Sequence, residues 1–331
     1  MNLEEPKSPF GGCRGLFITL IHSLQNTICA AIEKADGKAF FKTDKWDRAE
    51  GGGGITRVIE NGNIFEKGGV NTSVVFGDVT DNMRKQLKIE GHTWFACGIS
   101  SVIHPANPFV PTVHFNYRYF ELYNEDGTVA DAWFGGGTDL TPYYLFEEDV
   151  IHFHIQYKKA CDKFDAAFYP AFKKHCDDYF VNKHRNNECR GVGGIFYDYQ
   201  RATAEKSSEN WVQFASDCGH TFLDAYLPIA EKRKNTAFTP QQKYWQEIRR
   251  GRYVEFNLVH DRGTLFGLHT NGRTESILMS LPPTVRFDYH FKIEENSEEG
   301  KIQQVFLTPK NWIEEISEEE KNESAQKGNT C

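Results

Sequence analysis

The sequence predicts an α+β fold, in which a sheet is covered by helices. Strand-like segments follow one another between residues 70 and 123, whereas helical patterns lie before and after this block. Strands that cluster apart from helices are typical of α+β folds and not of alternating βαβ units. The chain has 331 residues, of which 39% are apolar, enough for one large core. Because no linker or internal repeat divides it, we expect a single domain over residues 1–331.

The first predicted element is a helix that ends near Gly37. Its apolar residues recur at steps of three and four, as on one buried helical face. They are Phe17, Leu20, Ile21, Leu24, Ile28 and Ile32. Glycine readily adopts the left-handed conformation that terminates many helices, so Gly37 is the predicted end. A loop over residues 47–54 follows it.

Strands come next, in segments rich in β-branched and aromatic residues. They are predicted at residues 70–76, 95–104 and 111–123. A second helical region begins near Glu147, since acidic residues suit the positive end of a helix, and runs towards Val181 with a bend or break at Pro170.

Four further elements complete the prediction. Helices are expected at residues 208–234 and 240–250, a strand at 193–198, and a second strand at 253–259, where polar and apolar residues alternate. The tail from about residue 313 is rich in Glu, Lys, Ser and Asn and is expected to be mobile.

Composition and charge exclude several classes of partner. The net charge of −8, without a long basic block, opposes general attraction to nucleic acid or anionic lipid. Eight cysteines without a Cys-x-x-Cys pair indicate a reducing compartment. The N-terminus is acidic where a targeting peptide would be basic, and the apolar run over residues 16–21 is too short to cross a bilayer. We therefore expect a cytoplasmic protein without stable membrane insertion.

The segment from Trp94 to His154 contains four of the twelve histidines and most of the candidate chemistry. Alternation along a strand places His114, Asn116 and Arg118 on one face, opposite Val113, Phe115 and Tyr117. These three polar groups can line a site, although an antiparallel sheet commonly exposes one such face to solvent.

Asp139 follows three glycines, Gly135, Gly136 and Gly137, and precedes a Thr-Pro pair. The glycines allow backbone conformations that other residues avoid and can bring the carboxylate close to a ligand. A plain Asx-turn is the competing interpretation.

Residues 248–288 contain six arginines and no lysine, a bias that favours planar recognition of carboxylates. The arginines are Arg249, Arg250, Arg252, Arg262, Arg273 and Arg286. About half are expected instead to form ion pairs with Glu255, Asp261, Glu275 and Asp288. Arg262 and Arg273, beside glycine turns, are the better ligand candidates.

No nucleotide-binding motif is present. The glycines at 51–54 are not followed by Gly-Lys-Ser/Thr, and residues 191–194 do not make the dinucleotide fingerprint. His104, His114, His154 and His184 could supply nitrogen ligands to a divalent metal, but they form no compact motif. His152 and His154 are two apart on a predicted helix, so at most one faces the site.

Longer strings carry a resemblance to a known family. They include Glu66-Lys-Gly-Gly-Val-Asn71, His104-Pro-Ala-Asn-Pro108, His114-Phe-Asn-Tyr-Arg118, Trp133 to Asp139, Lys183-His-Arg185, Gly251 to Asn257 and Glu275 to Ser280. With these strings, spread over about residues 45–288, the chain closely resembles oxygen-dependent coproporphyrinogen III oxidases.

The resemblance implies an enzyme of haem biosynthesis that converts two propionates of coproporphyrinogen III to vinyl groups. Oxygen is a substrate, carbon dioxide leaves and protoporphyrinogen IX is the product, with no required cofactor. It also implies a large, mostly antiparallel sheet flanked by helices on both faces, and a homodimer whose contact region corresponds to about residues 253–288.

Residue roles follow from matching positions. Ser100, Asn116, Tyr117 and Arg118 resemble substrate-binding residues, His114 the proton donor, and Asp139 the carboxylate that engages pyrrole N–H groups. Asn271, Gly272 and Arg273 resemble a second substrate-binding turn. His104, His114, His154 and His184 match metal ligands proposed for bacterial members, whereas the eukaryotic type is generally regarded as needing no metal.

These roles suggest a mechanism with two rivals. Asp139 would help to form a pyrrole anion that reacts directly with oxygen, while Arg118, Arg262 and Arg273 hold the propionates. One rival is a non-haem iron oxygenase that uses the histidines with a carboxylate. The other is a tetrapyrrole carrier that releases its ligand unchanged.

Overall fold

The computed structural model describes residues 12–87, 89–269 and 272–313. Within this part, one antiparallel sheet of seven strands has the order β1-β2-β3-β4-β5-β6-β9. Its strands are β1 (Lys42–Asp47), β2 (Gly52–Glu60), β3 (Phe65–Asp78), β4 (Thr93–Pro105), β5 (Thr112–Tyr123), β6 (Val129–Thr141) and β9 (Gly194–Gln200). A short pair, β7 (Val181–Asn182) and β8 (Glu188–Cys189), lies apart from it. The predicted α+β class is confirmed.

Nine helices occur in the described part of the chain. They are α1 (Cys13–Asp36), α2 (Asp81–Leu87), α3 (Glu147–Asp162), α4 (Phe168–Tyr179), α5 (Ser208–Arg233), α6 (Pro240–Val259), α7 (Arg262–His269), α8 (Thr274–Leu278) and α9 (Glu298–Leu307). The predictions for the opening helix and for residues 208–234 are confirmed. Gly37 ends α1 in the left-handed region, at φ 71°, and its N–H donates to the carbonyl of Glu33.

Helix α1 is the one described helix long and apolar enough to cross a membrane. That test is also passed by core helices of soluble domains. All six residues of its predicted apolar face are buried in the core. Phe17 packs on Tyr119 and Phe134 of the sheet, with ring centroids 6.0 Å away in each case. Burial of this face stabilises the fold by about 1.5–3 kcal/mol for each large side chain.

Helices lie on both faces of the sheet. Helices α1, α3 and α5 cover the face that carries Phe115, Tyr117 and Tyr119. Residues of α6, α7 and α8 lie across the opposite face, together with the cavity described below. Helix α4 packs along the edge strand β9, where it covers backbone groups that would otherwise be open to pairing.

Three local predictions are wrong. The predicted loop over residues 47–54 is shorter, because Asp47 ends β1 and Gly52 already begins β2. Residues 253–259 are not a strand but the last part of α6, which starts with a capping box formed by Thr239 and Gln242. A helix that has nucleated extends at little cost, and packing then overrides the β-propensity of its residues. The break in the second helical region falls at residues 163–167, before Pro170, which sits in the first turn of α4 where its missing N–H costs nothing.

The predicted mobile tail concerns residues 314–331, which lie outside the described residues. The last described residues are packed. Trp312 is buried, and its indole N–H donates to the carbonyl of Val192 over 3.2 Å. The core therefore extends at least to this position.

Strand β9 contains a bulge. Phe134 and Gly136 of β6 are opposite Gln200 and Tyr197, so two steps along β6 match three along β9. Tyr199 has a φ of 53°, in the left-handed region that a bulky residue rarely adopts. Asp198 and Tyr199 both line the cavity as a result, although neighbours in a regular strand point to opposite faces.

The glycines of β6 serve close packing rather than backbone flexibility. None of Gly135, Gly136 and Gly137 has a positive φ, contrary to the predicted use of unusual conformations. A Cβ on Gly137 would lie 2.4 Å from the carbonyl oxygen of Ile195, and one on Gly136 would lie 2.6 Å from the Tyr117 ring. A Cβ on Gly135 would meet only the ends of two side chains, Arg118 and Asp198, at 2.8 Å.

We expect Gly137→Ala to destabilise the protein by about 1–3 kcal/mol, because the new methyl group pushes against the backbone of β9. Gly135→Ala should cost less, since flexible side chains can give way. Melting temperatures of the two variants, measured side by side, test this order. Equal losses would show that the β6–β9 spacing is not the constraint.

Candidate active site

A cavity of about 660 Å³ lies between the sheet and helices α6 to α8. Its polar wall is formed by Ser100, His114, Asn116, Arg118, Arg190, Asp198, Asn257, Asp261 and Arg262. Aromatic residues form much of the rest: Phe120, Trp133, Tyr179, Phe180, Phe196, Tyr199 and Phe266. This size and this mixture of apolar walls with a few polar groups are typical of small-molecule sites.

The register of β5 and β6 places His114 directly opposite Asp139. The His114 Nδ1 lies 2.7 Å from Asp139 Oδ1, and Arg190 Nη2 lies 2.8 Å from both carboxylate oxygens. Burial alone would raise the pKa of Asp139, but the charge of Arg190 and the contact with His114 outweigh it and lower that pKa. Asp139 is therefore an anion held between two donors.

Asp139 does not line the cavity. Its side chain is 2% exposed, whereas that of His114 is 17% exposed and forms part of the wall. The expectation that the glycines bring this carboxylate close to a ligand is thus corrected, because His114 and Arg190 cover it. When Nδ1 donates to Asp139, neutral His114 presents Nε2 as an acceptor for a ligand proton.

The sequence did not predict a site role for Arg190 or Asn257. The buried guanidinium lies 4.1 Å from the Phe180 ring centroid and 4.7 Å from that of Tyr253. Its Nη1 donates to Asn257 Oδ1 over 3.1 Å. Burial lowers the pKa of Arg190, but the charge of Asp139 more than compensates, so the pKa is raised. The sequence signal for Arg190 is its position between Cys189 and the glycine-rich residues 191–194.

A second charged group joins the sheet to α7. Arg118 Nη2 lies 2.9 Å from Asp198 Oδ1, and Arg262 Nη2 lies 3.2 Å from Asp198 Oδ2. Arg118 Nη1 also donates to Asn116 Oδ1 over 2.8 Å. Both arginines line the cavity and are partly exposed, in positions from which they can bind carboxylates of a ligand.

All six arginines of residues 248–288 form ion pairs, not about half. The pairs are Arg249–Glu188, Arg250–Glu66, Arg252–Glu255, Arg262–Asp198, Arg273–Asp44 and Arg286–Glu247. Glu255 is the one predicted partner among them. Most of the others lie far away in the sequence, so spacing could not identify them. Of the six, Arg262 is the one that lines the cavity.

The remaining predicted site residues are only partly brought together. Ser100 lines the cavity with Asn116, but Tyr117 faces the core, where its hydroxyl lies 2.6 Å from Thr138 Oγ1. Strand alternation requires this opposite orientation. The Gly272 N–H donates to the carbonyl of Gly267, and Arg273 contacts Ser276 and Asp44. Neither Gly272 nor Arg273 lines the cavity. Asn271 lies outside the described residues.

The four histidines considered as metal ligands are in separate networks. His104 contacts Thr112 and the Ser280 carbonyl, and His184 contacts His260 and Glu255. His154 contacts Tyr169 and the Val192 carbonyl. Among the residues that the structure describes, no group of three or more His, Cys, Asp or Glu side chains is arranged so that it could hold a metal ion. His104, His114, His154 and His184 therefore do not come together as ligands of one metal ion.

His154 should make stability depend on pH. Burial lowers the pKa of His154 from 6.5 to about 3, so the unfolded chain takes up its proton first. Its contribution is therefore complete above pH 6.5 and is lost as the pH falls towards 3, by about 1.4 kcal/mol for each pH unit.

We expect His154→Gln to flatten the decline in melting temperature between pH 7 and pH 5. His152→Gln is the matched control, because His152 is a neighbour on α3 that bonds the exposed Asp224 carbonyl. An unchanged pH profile in His154→Gln would contradict the assignment.

Comparisons with known proteins cover nearly all of the described chain. The family described as Coproporphyrinogen III oxidase matches residues 17–312. The chain is 52% identical over 318 residues to coproporphyrinogen-III oxidase 1, chloroplastic, of Arabidopsis thaliana, covering 93% of this chain and 81% of that protein. It is 54% identical over 310 residues to the oxygen-dependent coproporphyrinogen-III oxidase, chloroplastic, of Glycine max, covering 91% and 80%. For the oxygen-dependent coproporphyrinogen-III oxidase of Prochlorococcus marinus strain MIT 9312, the identity is 48% over 334 residues, with 94% of both proteins covered.

Proposed function

Because the chain belongs to the coproporphyrinogen III oxidase family, we infer that its cavity is where coproporphyrinogen III is oxidised by molecular oxygen. The protein is an oxidoreductase of haem biosynthesis that converts two propionates to vinyl groups and yields protoporphyrinogen IX. The observation that carries the placement is a cavity of suitable size with two carboxylate-binding arginines on its wall.

The substrate and the cavity are complementary in charge and polarity. Coproporphyrinogen III carries four carboxylates on a ring of pyrroles. Arg118 and Arg262 offer paired N–H donors to carboxylates, and the stacked rings of Phe120 and Trp133, 4.2 Å apart, offer an apolar surface to a pyrrole. Binding through fixed guanidinium groups would set which propionate lies near His114.

We propose that His114 is the residue that contacts the pyrrole N–H, and that Asp139 acts through it. Nε2 of His114 accepts the pyrrole proton, and the Asp139 carboxylate stabilises the resulting imidazolium at Nδ1. The electron-rich pyrrole then reacts with oxygen. Arg190 keeps Asp139 ionised and fixed, so the anion needs no reorganisation when the proton moves.

The substrate supplies the electrons. At each of two propionates the β-carbon loses one hydrogen and the carboxylate leaves as carbon dioxide, so that a vinyl group remains. The two electrons released for each vinyl group reduce one molecule of oxygen, which becomes hydrogen peroxide by taking up that hydrogen and one proton from solvent. We therefore propose oxygen as the oxidant and no required redox cofactor. His114 can return its proton to the pyrrole after the carbon–carbon bond has broken, which restores the neutral site.

Aerobic and anaerobic incubation with coproporphyrinogen III tests this function. We expect carbon dioxide and protoporphyrinogen IX in air and neither without oxygen. A carrier would bind the substrate and release no carbon dioxide in air. Turnover that disappears on exhaustive chelation and returns with iron would favour the non-haem iron alternative.

We also propose a homodimer that uses residues 253–288. This stretch contains exposed apolar side chains that a stable interface would bury, namely Leu258, Val259, Leu268 and Phe287. Val259→Glu should shift the mass measured by light scattering from dimer to monomer at micromolar concentration. Leu16→Glu, an equally exposed apolar position on α1, is the control and should leave the mass unchanged.

We propose that the protein is located in the cytoplasm, a reducing compartment. Seven of the eight cysteines lie in the described residues, and all seven are free and buried. Burial raises the pKa of Cys13, Cys29, Cys161 and Cys189 to about 12 in each case, which keeps these thiols protonated.

A further inference from the structure

Asp198 is a carboxylate on the cavity wall that the mechanism above does not use. The β9 bulge turns it towards the cavity beside Tyr199. The other wall carboxylate, Asp261, accepts from the Tyr179 hydroxyl and the Thr264 N–H at the start of α7. Asp198 instead bonds to the two arginines assigned to the substrate.

One oxygen of Asp198 serves each arginine. Oδ1 is 2.9 Å from Arg118 on the interior strand β5, and Oδ2 is 3.2 Å from Arg262, the first residue of α7. The carboxylate thus bridges the sheet and the helix that covers it. The Asp198 side chain is 9% exposed, whereas those of Arg118 and Arg262 are 34% and 53% exposed, so a ligand can reach both guanidinium groups.

The bare surface of Gly135 seats this bridge. A Cβ at that position would lie 2.8 Å from both Arg118 Nε and Asp198 Oδ1. The glycine on β6 and the bulge on β9 therefore bring the same pair together from two strands. The glycine and the bulge thus lie beside each other on neighbouring strands, and each is an irregular feature of its strand.

The charges of the three groups do not cancel. Arg118 and Arg262 carry two positive charges and Asp198 carries one negative charge, so the group can accept one further carboxylate as it stands. If Asp198 turns away, two ligand carboxylates can take its place. An Asp side chain and a propionate present the same carboxylate geometry to a guanidinium.

We propose that Asp198 is a specificity-determining residue, an internal carboxylate that competes with ligand propionates for Arg118 and Arg262. This inference rests on the proposed function of the cavity. A tetrapyrrole with four carboxylates outcompetes Asp198, whereas the product, which has lost two, is displaced as Asp198 returns to the arginines. Through this competition, the number of carboxylates on the tetrapyrrole determines whether it is retained as substrate or released as product.

The test measures how tightly the full-length protein binds two unreactive probes. These are coproporphyrin III, with four carboxylates, and mesoporphyrin IX, with two. In Asp198→Asn we expect mesoporphyrin IX to bind about tenfold tighter, with a smaller gain for coproporphyrin III, because freed guanidinium groups form charge-assisted bonds. KM for coproporphyrinogen III should fall, and kcat should fall with it because product leaves more slowly. Asp198→Glu should restore the preference for four carboxylates.

Asp217→Asn is the matched control, since it removes one carboxylate from an exposed pair with Lys163 outside the cavity lining. It should change neither probe. If Asp198→Asn does not fold, Arg262→Gln serves instead, because it leaves Arg118 and Asp198 as a neutral pair. The preference for coproporphyrin III should then fall about tenfold.

An unchanged preference in these variants, or weaker binding of both probes in Asp198→Asn, would overturn the inference. Such a result with normal wild-type turnover leaves the proposed function intact. Failure of the wild-type protein to bind coproporphyrin III or to release carbon dioxide would instead remove the proposed function.

Discussion

Replacing Asp139 with asparagine is expected to lower kcat by about 10²- to 10⁴-fold while KM changes little. Asparagine has nearly the same shape but no charge to stabilise an imidazolium at His114. Its amide group can also donate to Nδ1, which would leave Nε2 protonated and unable to accept a proton from the pyrrole. Steady-state kinetics with coproporphyrinogen III, below the melting temperature of the variant, measures the effect.

The same experiment distinguishes two roles for Asp139, direct binding of the pyrrole N–H groups and action through His114. If the carboxylate itself bound the pyrrole N–H groups, the variant would lose substrate affinity together with turnover. The structure places His114 in front of Asp139, and a loss confined to kcat is expected from that order. His114→Gln and the double variant form a cycle, in which two groups that act as one unit give a double loss close to either single loss.

Removing Arg190 should cause the largest loss of stability of any change at the site. Arg190→Met leaves the carboxylate of Asp139, 2% exposed, without its charged partner. Uncoupling a buried pair in this way costs about 3–5 kcal/mol. Thermal unfolding should show a strong decrease in melting temperature at pH 7, and Arg190→Met combined with Asp139→Asn should recover part of it.

The sign of the pH dependence gives an independent check on Arg190. In the wild type the pKa of Asp139 is lowered, so its contribution is present above the pKa of the unfolded chain and is lost as the pH falls. Without Arg190, burial dominates and raises that pKa. Stability then increases as protonation removes the buried charge.

The difference between variant and wild type should therefore shrink from pH 7 to pH 5. The contribution of buried His154, whose pKa does not depend on Arg190, is equal in both proteins and cancels in this difference. A constant difference would show that Asp139 stays paired with another cation.

Local chemistry explains which elements were predictable. The apolar steps of α1, the acidic start of α3 and the alternation of β5 depend on neighbours within a few residues. The strand prediction for residues 253–259 is wrong because their alternation of polar and apolar residues is compatible with a strand. The helix is favoured instead by the Thr239 cap and by packing.

Local sequence also predicted one part of the candidate site. Strand periodicity in the sequence placed His114, Asn116 and Arg118 on one face, because successive side chains of a strand point to opposite sides. The identity of the family was also contained in the sequence, through strings of residues spread over most of the chain.

Only the tertiary structure decided which charges meet. Arg190 and Asp139 are 51 residues apart, and Asp198 reaches Arg118 through a bulge that no local pattern announces. Ion pairs and burial depend on how distant segments pack. A single buried contact can decide whether a carboxylate such as Asp139 faces the ligand or instead supports a neighbouring residue that does. The sequence thus determined the chemical groups and their order along each strand, whereas the packing of strand on strand determined their partners and roles.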